Sequence, residues 1–400
     1  MDKPLDHRRH LPALDGLRGM AILAVLFFHS YPRVAHDPVS LLASYGWLGV
    51  DLFFTLSGFL ITGILYDTLP QRNFFRNFYM RRSLRLFPVY VVMAVVTLGA
   101  AWMIGEHPTR WAVPYYIYGA NIIADLQKST GLDDKVQVGH LWSLALEEQF
   151  YLLWAPAIFL LRKRKAILYA CLVGGLFSVL LRFYCAAHPS DVFSPYRELP
   201  TRLDSLLAGG ALAMAMRSER FVRWLGRRLP YALVAGFGAT LLACAVKERS
   251  EYWSHPAMTR YAFLAASIGF TALIALALQP GTWMERAASQ GALRWLGRYS
   301  YGLYLWSAPL HFPQLLLRTW LIGHLHAPVV AGLAAFALVL AASIGIAVLS
   351  YHTVELSFLR MKKYFAYSDE KKSHRLQIDE NTAISLPREA QSPPAGGPRA

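Results

Sequence analysis

The chain has 400 residues, is 55% hydrophobic and is charged at only 16% of positions, well under the roughly 25% of soluble domains, which excludes an ordinary soluble protein. Its net charge of +15 lies in short basic clusters between apolar runs, not on a basic face interleaved with aromatics, which excludes nucleic acid as a partner. The apolar runs are about 16 to 23 residues long, the length a helix needs to cross a bilayer, so the expected fold is all-α, a polytopic integral membrane helical bundle.

The first run, Leu14 to Ser30 (LDGLRGMAILAVLFFHS), carries Arg18 and His29. Eleven steps at about 100° come to roughly 1100°, within about 20° of three turns, so both side chains share one stripe, about 16 Å apart along the axis. Ionisable groups are costly in lipid and mark pathways or reaction sites. A lone arginine at a helix end is a snorkelling anchor, but Asp15 sits three residues earlier as a partner. A neutral imidazole is the side chain best suited to move protons near neutral pH. Arg8 and Arg9 precede the run as in a signal peptide, but no small-x-small cleavage site follows, so a retained span is expected.

Gly46 to Thr62 (GWLGVDLFFTLSGFLIT) places Asp51 near one end, with Gly49, Ser57 and Gly58 as small residues that let helices approach. Phe74 to Pro88 (FFRNFYMRRSLRLFP) gathers Arg76, Arg81, Arg82 and Arg85. Arg82 and Arg85 are one turn apart and can present two guanidinium forks to a phosphate-bearing ligand; contact with anionic lipid is the other reading. Trp111 to Ile123 (WAVPYYIYGANII) is short and holds Pro114 and Asn121. It is read as interfacial or re-entrant, because a crossing there would move Arg162-Lys163-Arg164-Lys165 outside.

Gly139 to Pro156 (GHLWSLALEEQFYLLWAP) brings Glu147 and Glu148 into a span. Glu147 lies seven residues, about 10 Å, below His140. That depth sets the expectation that Glu147 meets His29 and holds its imidazolium. In LPTRLDSLLAGGALA, Arg202 and Asp204 are expected to form an intramembrane ion pair. The stretch Gln279 to Arg298 contains GALRWLGR, expected as an interfacial amphipathic helix. Glu355, after the last span, is expected to face the cytoplasm. Cys171, Cys185 and Cys244 lack paired spacing, so neither a disulfide framework nor a metal site is expected.

About ten spans result, near 17–33, 48–66, 87–104, 140–161, 166–186, 201–216, 230–246, 259–278, 300–318 and 328–350. Most of the 40 Lys and Arg fall on 1–18, 67–86, 162–165, 217–228, 279–298 and 351–400, which places both termini in the cytoplasm. The domain reading is a transmembrane domain over 1–360 and a cytoplasmic tail over 361–400. The tail turns polar from about Ser368 and is expected to be disordered.

Six blocks, in order, resemble the acyltransferase-3 family of bacterial membrane-bound O-acyltransferases: LDGLRGMAILAVLFFH, GVDLFFTLSGFLI, YMRRSLRLFPVY, HLWSLALEEQFYLLWAP, TRLDSLLAGGALA and LGRYSYGLYLW. They cover roughly 11 to 356, in a stand-alone transmembrane form with no fused esterase-like domain. The resemblance implies ten helices in the bacterial cytoplasmic (inner) membrane with both ends inside. It also implies O-acylation of a carbohydrate or glycan acceptor, with cytosolic acyl-CoA, often acetyl-CoA, as donor substrate and no tightly bound cofactor. Carried over position by position, it implies roles for Arg18 and His29, for the paired arginines Arg82 and Arg85, and for the carboxylate Glu147. Two positions depart from the family pattern. Ser307 stands where many relatives carry a histidine, and Glu355 is followed by Leu356 and Ser357 instead of the usual glutamate-x-proline.

The expected activity is therefore membrane O-acyl transfer. Phosphates of acyl-CoA would meet Arg82, Arg85 and Arg18, and His29 would act either as base or as covalent acyl carrier. Asp15, Asp51, Glu148, Arg202 and Asp204 are further site candidates. A transporter or flippase of a lipid-linked sugar is the alternative, though no internal repeat of the transporter kind is visible. A structural or sensory membrane protein is the third reading.

Overall fold

A computed structural model describes residues 11–32, 37–110, 112–121, 136, 138–188, 195–248 and 258–367, and every regular element among them is helical. The main helices are α1 (Pro12–Ser30), α2 (Leu48–Thr68), α3 (Phe74–Met103), α4 (Leu141–Leu161), α5 (Arg164–Ala187) and α6 (Leu199–Ala215). They continue as α7 (Arg228–Glu248), α8 (Phe263–Ala277), α9 (Gly291–Ser307), α10 (His311–Leu325) and α11 (Pro328–Ser350). Seven helices of the described residues are long and apolar enough to cross a membrane. Each of the ten expected spans falls on this framework, but the ninth, 300–318, is broken at Ala308 to Leu310 into α9 and α10. The first span starts earlier than hydropathy suggests, because Pro12 opens the helix at a position where its missing N–H costs nothing.

The bundle turns apolar side chains outward. Along α5, Leu172, Val173, Leu176, Phe177 and Leu180 are all more than half exposed, a stripe that lipid solvates and water does not. Inside, α1 and α9 touch backbone to backbone. A Cβ on Gly19 would fall 2.0 Å from the carbonyl oxygen of Leu293, and one on Gly297 would fall 1.8 Å from that of Asp15, so only glycine fits. GALRWLGR is therefore not a separate interfacial helix. It forms the first turns of α9, drawn into the bundle by that contact.

Buried charge joins α2, α5, α6 and α8. Both guanidinium nitrogens of Arg182 bond the Asp204 carboxylate at 2.8 Å, and Arg202 bonds Asp51 at 2.6 Å. Ser205 and Ser267 donate to Asp51 and Asp204 at 3.2 and 2.7 Å. The expected Arg202–Asp204 pair is thus replaced by two crossed pairs. Positions i and i+2 of a helix do not face each other, so each side chain reaches a neighbouring helix instead.

Residues 112–121 form a short helical stretch and a π-turn broken at Tyr118 (φ +64°), too short to cross a bilayer. Tyr116 bonds Thr97 at 2.8 Å, and Asn121 exchanges two amide hydrogen bonds with Gln149. Trp111, Ile122 and Ile123 lie outside the described residues. At the other end, α11 runs into a π-turn (Tyr351–Glu355), a short helix (Leu356–Arg360) and a 3-10 turn (Met361–Phe365). Residues 361–367 fold onto α3, so ordered structure extends past the 360 boundary. Residues 368–400, which carry the disorder expectation, lie outside the described residues.

Candidate active site

Helices α1, α2, α3, α4 and α9 enclose a cavity of about 290 Å³. Its walls are mostly apolar, with Asp15, Arg18, Arg82, Arg85 and Glu147 projecting into it. Five of the sequence-selected residues, from three helices far apart in the chain, therefore share one space. Three guanidinium groups face two carboxylates, which leaves the cavity cationic. Asp15 is the carboxylate acting most strongly on Arg18, as the i−3 spacing suggests.

Tyr151 organises the polar wall. Its hydroxyl accepts from Arg82 Nη2 (2.5 Å), donates to Glu147 Oε2 (3.0 Å) and also bonds Ser57 Oγ. The Arg82 guanidinium carbon lies 4.2 Å from the centre of the Tyr151 ring, a cation–π arrangement. Tyr151 stands one turn after Glu147 on α4, so both point to the same side. The buried Arg82 Nε–H has no partner among the described residues. Tyr301 of α9 donates to the Leu86 carbonyl (2.8 Å) and ties that wall to α3 beside Arg85.

At its far end the cavity is lined by Ser143 and Tyr304. Their hydroxyls lie 2.5 Å apart and each 3.1 Å from the His140 carbonyl oxygen; with one proton apiece, one donates to the carbonyl and the other to its neighbouring hydroxyl. The His140 ring packs edge-on against Tyr304, with centroids 5.4 Å apart. His140 in turn lies within electrostatic range of His29. The His311 ring lies against the backbone of His29, and Gln314 Nε2 donates to the Ser30 carbonyl at 2.5 Å. The last turn of α1, whose carbonyls lack helical partners, is thus capped by α10. His29 sits in an outer group of three histidines next to the end of the cavity.

This placement corrects the expected His29–Glu147 pair. His29 belongs to the last turn of α1, which ends at Ser30, and acts on His140, not on Glu147. Glu147 lies two turns further in, about 10 Å along α4, with Tyr151, Arg82 and Arg18 around it. Glu355 is also not cytoplasm-facing. It is buried, its Oε1 lies beside Gly302, and it is within range of Arg85. Glu148 is half-buried behind the cavity wall, within range of Arg82. Asp51, Arg202 and Asp204 do not line the cavity; they form the structural ion network.

Sequence reasoning missed Tyr151, Ser57, Ser143, Tyr304 and Glu355. The spacing of Tyr151 from Glu147 was a usable signal, whereas serines in a glycine-rich span read as packing. Among the described residues no group of three or more His, Cys, Asp or Glu is placed to hold a metal ion.

The acyltransferase domain family matches residues 11–352. The chain is similar to the peptidoglycan O-acetyltransferase OatA of Listeria monocytogenes, 32% identical over 334 residues, covering 78% of this chain and 50% of that protein. It is also similar to the O-acetyltransferase OatA of Staphylococcus aureus, 28% identical over 317 residues, covering 76% and 51%. The chain spans about half the length of the curated relatives it matches. No solved structure matches it.

Proposed function

The chain belongs to the acyltransferase-3 family, and on that footing we propose that it is a membrane O-acyltransferase moving an acetyl group from cytosolic acyl-CoA to a sugar hydroxyl of a cell-wall glycan. The observation that carries this reading is the convergence of Arg18, Arg82, Arg85 and Glu147 on one cavity whose far end abuts the histidine group. Guanidinium forks suit the phosphates of CoA. The long pantetheine arm suits the apolar walls, and it bridges the distance from the arginines to His29.

At the thioester, the acceptor oxygen attacks the carbonyl carbon, the C–S bond breaks, and CoA leaves as thiolate and takes up a proton. His29 receives the hydroxyl proton in a direct transfer, or first carries the acetyl group on its ring nitrogen. Glu147, held by Tyr151, orients Arg82 and balances the arginine charge. The similarity to peptidoglycan O-acetyltransferases supports peptidoglycan as acceptor, and the long apolar helices support a location in a membrane.

Purified protein given acetyl-CoA and soluble peptidoglycan fragments should release free CoA and acetylated fragments in equal amounts. Movement of a lipid-linked sugar without acetylation would favour the transport reading.

A further inference from the structure

The segment after α11 returns across the basic face of α3. Arg76 lies 5.3 Å from the centre of the Phe365 ring, and Arg81 lies 4.7 Å from that of Tyr367. Asn77 Nδ2 reaches the Ala366 carbonyl at 3.5 Å. These contacts hold residues 361–367 as a strap and present Lys362 to the arginine cluster. The charges acting most strongly on Lys362 are all arginines: Arg85, Arg81, Arg82 and Arg18. Lys362 is half-buried, while its neighbour Lys363 is exposed with its ammonium over the Tyr364 ring. Five cations crowded beside a cavity repel one another unless an anion lies among them. Four carboxylates face these five cations, Asp15 beside Arg18, Glu147 and Glu148 beside Arg82, and Glu355 beside Arg85, and none of them is among the charges acting most strongly on Lys362.

We propose that the strap completes a polyphosphate-binding site, with Lys362 adding a mobile ammonium to the forks of Arg82 and Arg85 at the cytoplasmic mouth of the cavity. A flexible lysine suits a phosphate that the planar forks cannot reach, since it binds as a point charge. The shared ligand chemistry is clustered phosphate, either the nucleotide end of acyl-CoA or the headgroups of anionic lipid. The assignment to CoA rests on the donor reading given above.

The test is calorimetric titration of CoA, and of pantetheine as a phosphate-free probe, into the purified full chain in neutral detergent. Lys362→Gln should weaken CoA binding about tenfold, the size of one lost charged contact, and leave pantetheine binding unchanged. Lys362→Arg and the control Lys363→Gln should both stay within about twofold of the parent. If Lys362→Gln binds CoA like the parent, the strap proposal is overturned and the donor reading stands. If the parent binds no CoA but retains phosphatidylglycerol in native mass spectrometry and Lys362→Gln sheds it, the phosphate site is supported with lipid as its ligand, and the donor reading falls. Loss of neither ligand on substitution overturns the strap proposal for CoA and for lipid alike.

Discussion

Tyr151 holds three polar groups with one hydroxyl: it accepts from Arg82, donates to Glu147 and bonds Ser57. Removing that hydroxyl leaves a guanidinium and a carboxylate without their common partner, and a hydrogen bond to a charged group contributes about 1.5–3 kcal/mol. Tyr151→Phe is therefore expected to keep the fold and to lower turnover by about 10- to 100-fold, read as CoA release. Glu147→Gln should be impaired through the same hydroxyl. The two losses should fall short of additive by roughly 0.5–3 kcal/mol in a double-mutant cycle; simple additivity would mean that Glu147 works with some other group. His29→Ala should abolish transfer without unfolding the protein, since it leaves an apolar helix end. His29→Gln should be equally inactive, and activity retained by Gln would reduce His29 to a hydrogen-bonding role.

At the scale of elements, α3 carries Arg81, Arg82 and Arg85 on a single unbroken helix. Exchanging Arg82 and Arg85 together for lysine keeps charge and membrane insertion but removes the planar forks. The expected outcome is at least tenfold weaker CoA binding with normal amounts of protein in the membrane. The ion network of α2, α5 and α6 should behave in the opposite way. Asp204→Asn strips the partner from a fully buried Arg182, a change that costs about 3–5 kcal/mol. It should lower the thermal unfolding temperature in detergent while CoA affinity of the folded fraction stays unchanged. These two groups differ in how legible they are in the sequence. Arg82 and Arg85 are legible because two arginines one helical turn apart can present two forks to one ligand. The Arg202–Asp51 contact joins residues 151 positions apart, and helix periodicity says only which way each side chain points. The same limit hid Glu355, whose burial depends on a π-turn after α11, and merged α9 with α10 into one span.

On the scale of the whole molecule, the hydropathy pattern set a bundle of apolar helices, and the described helices follow it. The depth of each side chain was less legible. Hydropathy started α1 five residues late, and the groups found beside His29 are His140 and His311, while Glu147 is met by Tyr151, Arg82 and Arg18. The arginine cluster lines the cavity, and the histidine group lies beyond its Ser143–Tyr304 end; on the proposed topology the arginines face the cytoplasm and the histidines the opposite side. The account therefore requires acetyl transfer across the membrane. The direct measurement uses proteoliposomes with radiolabelled acetyl-CoA supplied only on the side of the arginine cluster and glycan fragments only on the other. The account predicts label on the glycan, with none in vesicles carrying His29→Ala. Unlabelled glycan with the parent protein, or labelling that persists in His29→Ala, would contradict it.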